Sequence, residues 1–214
     1  MRALVVYCHP KEESFNAAVR DLVLAKLAAA GAAVRLRDLY AEGFQPVLTG
    51  RELAGYLDTP ANRAPVEGHC ADVEWCDTLI FVYPTWWYGL PAMLKGWLDR
   101  VLLPDVAFLM PDARNANIRP GLQHIRGMGV FTTCGASWWL TAFIGAPGRR
   151  QLRRGVGVLL KRRHRSVFAA HYLMDSSTPD SRRRHLARVA AKMDRLIGRR
   201  VPVALPEPRL EAAE

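Results

Sequence analysis

The chain is short of several things whose absence narrows its fold and function. It holds 4 cysteines in 214 residues. These are Cys8, Cys70, Cys76 and Cys134, which make no C-x-x-C pair and no repeated spacing. That pattern argues against a bound metal or a disulfide framework and fits a reducing, cytoplasmic setting. No apolar run reaches the roughly 18 residues expected of a membrane span. The opening apolar stretch, Ala3 to Cys8, is too short for a signal peptide and runs straight into a strand-like pattern. There is no G-x-G-x-x-G string, no internal repeat and no low-complexity segment, and nucleic acid is not an expected partner. Acidic residues are scarce in one region alone. Residues 1–144 hold 13 Lys+Arg against 14 Asp+Glu, whereas residues 145–214 hold 17 against 6, so the net charge of +10 belongs to the last third. A basic third suits a phosphorylated cofactor, an anionic membrane surface or an acidic partner, and equally a solvated face in an arginine-rich chain.

What is present is ordinary globular material, with 50% apolar and 23% charged residues. The length suffices for one α/β domain, expected over residues 1–200, with a loose tail over residues 201–214. Ala3 to Cys8 reads as a buried first strand, followed by a helix from Ala17 to about Ala30. Ala33 to Leu39 alternates apolar and polar residues, as a half-exposed second strand does. Glycines and prolines break up residues 40–66, where a short helix is expected near Arg51 to Leu57. A helix near Val66 to Cys76 leads into Leu79 to Tyr83, a continuous apolar run typical of a strand buried on both faces. Pro84 is expected to end that strand, and Pro91 to open a helix carrying Met93, Leu94, Trp97, Leu98, Val101 and Leu102 at helical spacing. Residues 104–127 are irregular, a candidate lid or dimer segment. A fourth strand follows at Met128 to Thr133, helical residues at Arg149 to Leu160, and a fifth strand at Ser166 to Leu173. Thr178, Pro179 and Asp180 signal the last helix, to about Gly198.

Strands alternating with helices imply an open parallel sheet. With five strands and no Gly-rich dinucleotide fingerprint, the expected fold is a flavodoxin-like doubly wound sheet of order 2-1-3-4-5. That order makes neighbours of the carboxyl ends of strands 1, 3 and 4. Their loops, His9 to Asn16, Pro84 to Leu90 and Thr132 to Trp139, are the chemically distinctive ones in the chain. Three aromatic residues, Trp86, Trp87 and Tyr88, crowd the second loop; taken alone they suit a wall for a flat ligand, a core or a dimer contact.

The string Tyr83-Pro-Thr-Trp-Trp-Tyr-Gly-Leu-Pro-Ala-Met-Leu-Lys-Gly-Trp-Leu-Asp-Arg-Val101 resembles the flavin-loop signature of the NAD(P)H:quinone oxidoreductases, the DT-diaphorase-like family. His9-Pro-x-x-x-Ser14-Phe15-Asn16 resembles that family's phosphate loop, and Thr132-Thr-Cys-Gly135 its Thr-Thr-Gly-Gly. The resemblance implies cofactor-binding roles for His9, Ser14, Phe15 and Asn16, for Pro84, Thr85, Trp87 and Tyr88, and for Thr132, Thr133, Cys134 and Gly135. It also implies a bound FAD or FMN, with FAD slightly ahead, NAD(P)H as donor, and a quinone or similar aromatic acceptor. Hydride transfer through the flavin by a ping-pong sequence needs no catalytic acid, base or nucleophile from the protein, so none is assigned. The family's tyrosine and histidine opposite the flavin have no counterpart here. A homodimer is expected, since the family is typically dimeric and Phe108, Leu109, Met110, Trp138 and Trp139 are hard to bury in one sheet domain. The competing classes are a flavodoxin-type electron carrier and a flavin-binding regulatory subunit of a membrane transport system.

Overall fold

The computed structural model describes residues 1–208. Strand β1 (Arg2–Tyr7) buries every residue after the first. Helix α1 (Phe15–Ala29) starts where the Ser14 side chain accepts the Ala17 amide, two residues ahead of the expected start. The half-exposed strand β2 (Ala33–Asp38) follows. Thr49 and Glu52 form a capping box for the short helix α2 (Gly50–Ala54). Helix α3 (Glu67–Trp75) then leads into β3 (Thr78–Thr85), and Pro91 stands just ahead of α4 (Ala92–Val101). The irregular stretch after α4 contains a small antiparallel ribbon of β4 (Phe108–Leu109) and β5 (Arg119–Pro120). Strand β6 (Gly127–Cys134) is wholly buried. It is followed by α5 (Trp138–Phe143), α6 (Pro147–Arg150), β7 (Arg165–His171) and α7 (Pro179–Ile197).

The five long strands are parallel in the order β2-β1-β3-β6-β7. With the two-residue ribbon strands set aside, this is the expected 2-1-3-4-5 order. Alternate residues face two cores. Leu4, Val6, Leu79, Phe81 and Val130 pack with α3 and α4, while Val5, Ile80, Val82 and Phe131 pack with α1 and α7. Trp97 of α4 is fully buried and meets Phe81 edge-on, with ring centroids 6.2 Å apart. Trp97→Ala would cost about 3–5 kcal/mol through the cavity it leaves. This packing fixes α4 against β3 and so sets where the connecting loop lies.

Two local expectations need correction. Pro84 does not end β3, because the strand continues through Pro84 and Thr85, paired with Thr133 and Cys134 of β6. The Val82 carbonyl faces β1, where it accepts the Cys8 amide. Groups alternate sides along a strand, so Pro84 also faces the β1 side. The β1–β3 pairing stops at Val82, leaving no ladder bond for the missing amide to break. The other correction concerns the segment before β7. Its helical residues begin at Pro147 and run to Leu159 in three geometries, with a wide π-type turn over Gln151–Val156 and a tight 3-10 turn over Gly157–Leu159. Helix α5 is additional.

All four cysteines are buried and unbridged. No helix among the described residues is long and apolar enough to cross a membrane. Residues 201–208 carry no regular helix or strand, though Val201 is buried and its carbonyl accepts from Lys26. The rest of the expected tail lies outside the described residues.

Candidate functional site

The carboxyl ends of β1, β3 and β6 meet at one edge of the sheet, and their loops are tied together by side chains. Asn16 Nδ2 donates to Thr133 Oγ1 at 2.9 Å, which links the first loop to the third. The Thr85 and Thr132 hydroxyls lie 2.8 Å apart and link the second loop to the third. Within the first loop the His9 ring accepts the Lys11 amide through Nδ1 at 3.0 Å. Between the loops opens a cleft of about 670 Å³, a volume usual for a small-molecule or cofactor site. Nine of the twelve residues named from sequence line it: His9, Asn16, Pro84, Thr85, Trp87, Tyr88, Thr133, Cys134 and Gly135.

The other three stand behind the wall. The Ser14 hydroxyl is buried, 3.3 Å from that of Tyr7, and serves as the cap of α1. Phe15 is buried among His171, His185 and the Arg182 guanidinium. Thr132 is buried and supports Thr85. These residues shape the site through the positions of their neighbours.

The second loop is a tight turn under strain. Gly89 donates its amide to the Trp86 carbonyl at 3.0 Å, and Trp87 and Tyr88 between them have φ of 48° and 61°. Two successive positive φ values make a type I′ turn, which ordinarily takes Asn and Gly at these places. An aromatic residue in that backbone region costs of order 1–3 kcal/mol, a kind of strain that gathers at functional sites. The turn is braced from behind, where α6 approaches so closely that a Cβ on Gly148 would lie 3.2 Å from the Gly89 backbone. What this geometry achieves is display: Trp87 is 95% exposed at the cleft.

Several lining residues carried no sequence signal. With Trp86 of the second loop, Ala136, Leu140, Met174 and Asp175 complete the cleft. Asp175 lies against the third loop, so that a Cβ on Gly135 would be 2.7 Å from its Oδ2. It comes from the connection after β7, which has no motif in the sequence; only the strand order brings it here. Burial pushes the Cys8 thiol up to about 12, so it stays neutral and serves the core. Under the first loop, burial, together with the charges of His171 and Arg188, pushes His185 down to about 3.

One polar atom in the cleft wall is left over. Asn16 is buried, and its Oδ1 has no partner among the described residues. A buried acceptor without a donor costs about 1–3 kcal/mol unless a ligand or water supplies one. Such an atom, beside hydroxyls and at the carboxyl edge of a parallel sheet, marks the place where a doubly wound fold takes its ligand.

A profile described as the flavodoxin-like fold matches residues 1–195. The chain belongs to that flavodoxin-like family. Within the family's wider range, it is 32% identical over 136 residues to the human protein named ribosyldihydronicotinamide dehydrogenase [quinone]. It is 34% identical over 123 residues to NAD(P)H dehydrogenase [quinone] 1 of Cavia porcellus. These matches take in 56% and 50% of this chain, and 59% and 45% of the respective relatives, so the chain spans about half the length of the curated relatives it matches. Among solved structures, Smu.1420 from Streptococcus mutans UA159 superposes with a TM-score of 0.76 at 28% identity, covering 90% of this chain and 98% of that one.

Proposed function

We propose that this chain is a flavin-dependent NAD(P)H oxidoreductase acting on quinones or similar aromatic acceptors. The observation that carries the reading is the cleft at the ends of β1, β3 and β6, with an unpartnered buried Asn16 oxygen in its wall and Trp87 displayed beside it. The names of the relatives, quinone dehydrogenases, support the same class. A bound FAD or FMN would supply the redox chemistry, taking a hydride equivalent from NAD(P)H and delivering it, with a proton from solvent, to the acceptor. The residues fit such a group. Asn16 Oδ1 is free to accept from a sugar-chain hydroxyl, and the amides from His9 to Asn16 lead into the start of α1, a setting that favours phosphate. Pro84, Thr85, Trp87 and Tyr88 would hold the ring plane, and Thr132 to Gly135 its polar edge, with Ser14 and Phe15 setting the first loop from beneath.

The protein's part is to bind, orient and exclude water. A single cleft walled by Trp87 and Tyr88 admits one flat substrate at a time, so the oxidised nicotinamide leaves before the acceptor enters. Turnover is therefore ping-pong. Trp138, Trp139 and Phe143 are 63%, 65% and 84% exposed. An apolar surface of this kind suits a homodimer in which the second copy covers the cleft mouth. Initial rates at several fixed quinone concentrations test the reading. Parallel double-reciprocal lines are expected; intersecting lines would mean that both substrates bind together and overturn the ping-pong order, and no NAD(P)H-dependent quinone reduction would favour a flavodoxin-type electron carrier.

A further inference from the structure

Behind the aromatic turn lies a second cavity that the quinone-reductase reading does not use. It measures about 630 Å³ and is walled by Arg149, Arg150, Arg153 and Arg154, with His164 and Ser166 closing it. Arg149 and Arg153 also line a smaller hollow along β7, where Lys192 and Arg195 of α7 join them. Six cationic side chains thus converge on the outer edge of the sheet. Among the described residues, no carboxylate forms an ion pair with any of the six.

Two of these arginines are anchored, and a third lies against the backbone. The Arg149 guanidinium stacks over Phe168 at 4.8 Å from the ring centre. Arg153 donates from Nε to Ser166 Oγ at 3.3 Å. Arg150 folds back so that a Cβ on Gly145 would meet its Nη1 at 3.3 Å. Burial, and then the charge of Arg149, lowers the pKa of Arg153 below its ordinary value. Like charges set side by side, one of them half-buried, raise the energy of the fold unless an anion offsets them. Planar guanidinium groups set in this way match the paired oxygens of phosphate.

We propose that this basin is a binding site for a phosphate-bearing anion, held by Arg149, Arg150, Arg153 and Arg154. Two sources share that chemistry. One is the phosphate of a nucleotide whose other end lies in the cleft, a source that rests on the oxidoreductase reading. Arg149 offers the route, since it also lines a narrow pocket with Thr85, Tyr88 and Cys134, all cleft residues. The other source is a separate phosphorylated compound, which needs no flavin at all.

Calorimetric titration of the purified full chain at low salt decides, with pyrophosphate, NADPH and NADH as probes. Arg150→Gln/Arg153→Gln should weaken pyrophosphate binding by about tenfold or more. Arg51→Gln/Arg184→Gln, which removes two charges elsewhere, should change it less than twofold. Each single variant, with an unchanged melting curve, guards against a folding defect. NADPH binding tighter than NADH by a margin that the basin variant abolishes assigns the site to the nucleotide. Equal NADPH and NADH affinities, with pyrophosphate still lost in the variant, assign it to a separate ligand. Pyrophosphate binding that is absent, or that survives the double substitution, overturns the site. A flavin-free protein that holds pyrophosphate through these arginines would fail the oxidoreductase reading and keep this one.

Discussion

The cleft and the arginine basin both depend on α6, which backs the aromatic turn of one and lines the other, but they satisfy their polar groups in opposite ways. In the cleft, threonine and asparagine side chains from three loops bond to one another, and a single buried acceptor, Asn16 Oδ1, is left over. In the basin, four arginines line one cavity with no carboxylate paired to them among the described residues. A neutral network of that kind is nearly complete without a ligand, and it sets a shape. A cluster of one sign is incomplete until an anion arrives, and it sets a charge. The same helix serves both, since Gly148 braces the aromatic turn while Arg149 and Arg150 face the basin.

Shape and charge should separate most clearly at the turn. Trp87→Asn places a residue suited to positive φ where the backbone already demands it. Stability should rise by about 1 kcal/mol, or roughly 2–4 °C in melting temperature. Quinone turnover should fall by about 100-fold, because ring orientation is lost, and pyrophosphate binding in the basin should not move. A variant as active as the parent would show that the displayed indole is incidental.

Acid should act next, under the first loop. His185 is 1% exposed and neither ring nitrogen has a partner among the described residues. Its pKa falls from 6.5 to about 3 on folding. Between those values the unfolded chain holds a proton that the folded chain does not. Stability therefore falls as pH drops through this window, by of order 3 kcal/mol at about pH 4. His185→Leu should flatten the slope of urea midpoint against pH, whereas an unaltered slope would assign acid sensitivity elsewhere.

A smaller effect comes from Asp175, whose carboxylate lies against Gly135 at the third loop. A negative charge there opposes the negative charge that a reduced flavin gains. Asp175→Asn should raise the two-electron potential by about 20 mV, the equivalent of about 1 kcal/mol for one solvent-exposed charge. A lower or unchanged potential would place the flavin's polar edge away from this residue.

Much of the fold was legible because buried parallel strands leave continuous apolar runs, as at Leu79 to Tyr83, and because Thr178-Pro179 announces a helix in plain side-chain chemistry. The strand order then brought together the loops whose residues line the cleft. What could not be read was geometry that no residue type encodes. Trp87 and Tyr88 occupy a backbone region their side chains disfavour, so propensity points away from the turn they form. Pro84 continues a strand because its neighbour β1 has already ended. Asp175 comes from a segment far in sequence from the other cleft loops, and Lys192 and Arg195 meet Arg149 and Arg153 only once β7 lies at the sheet edge. For the arginines, the sequence placed the charge excess in the last third of the chain but gave no cavity for it.

Equilibrium binding shows, without any turnover, whether the cleft holds a flavin. The purified protein, or its stripped form titrated with FMN and FAD, should show a visible flavin spectrum and one flavin per chain. Asn16→Leu should weaken retention by about tenfold, through loss of a buried hydrogen-bonding group. A colourless protein that takes up neither FMN nor FAD would contradict the account.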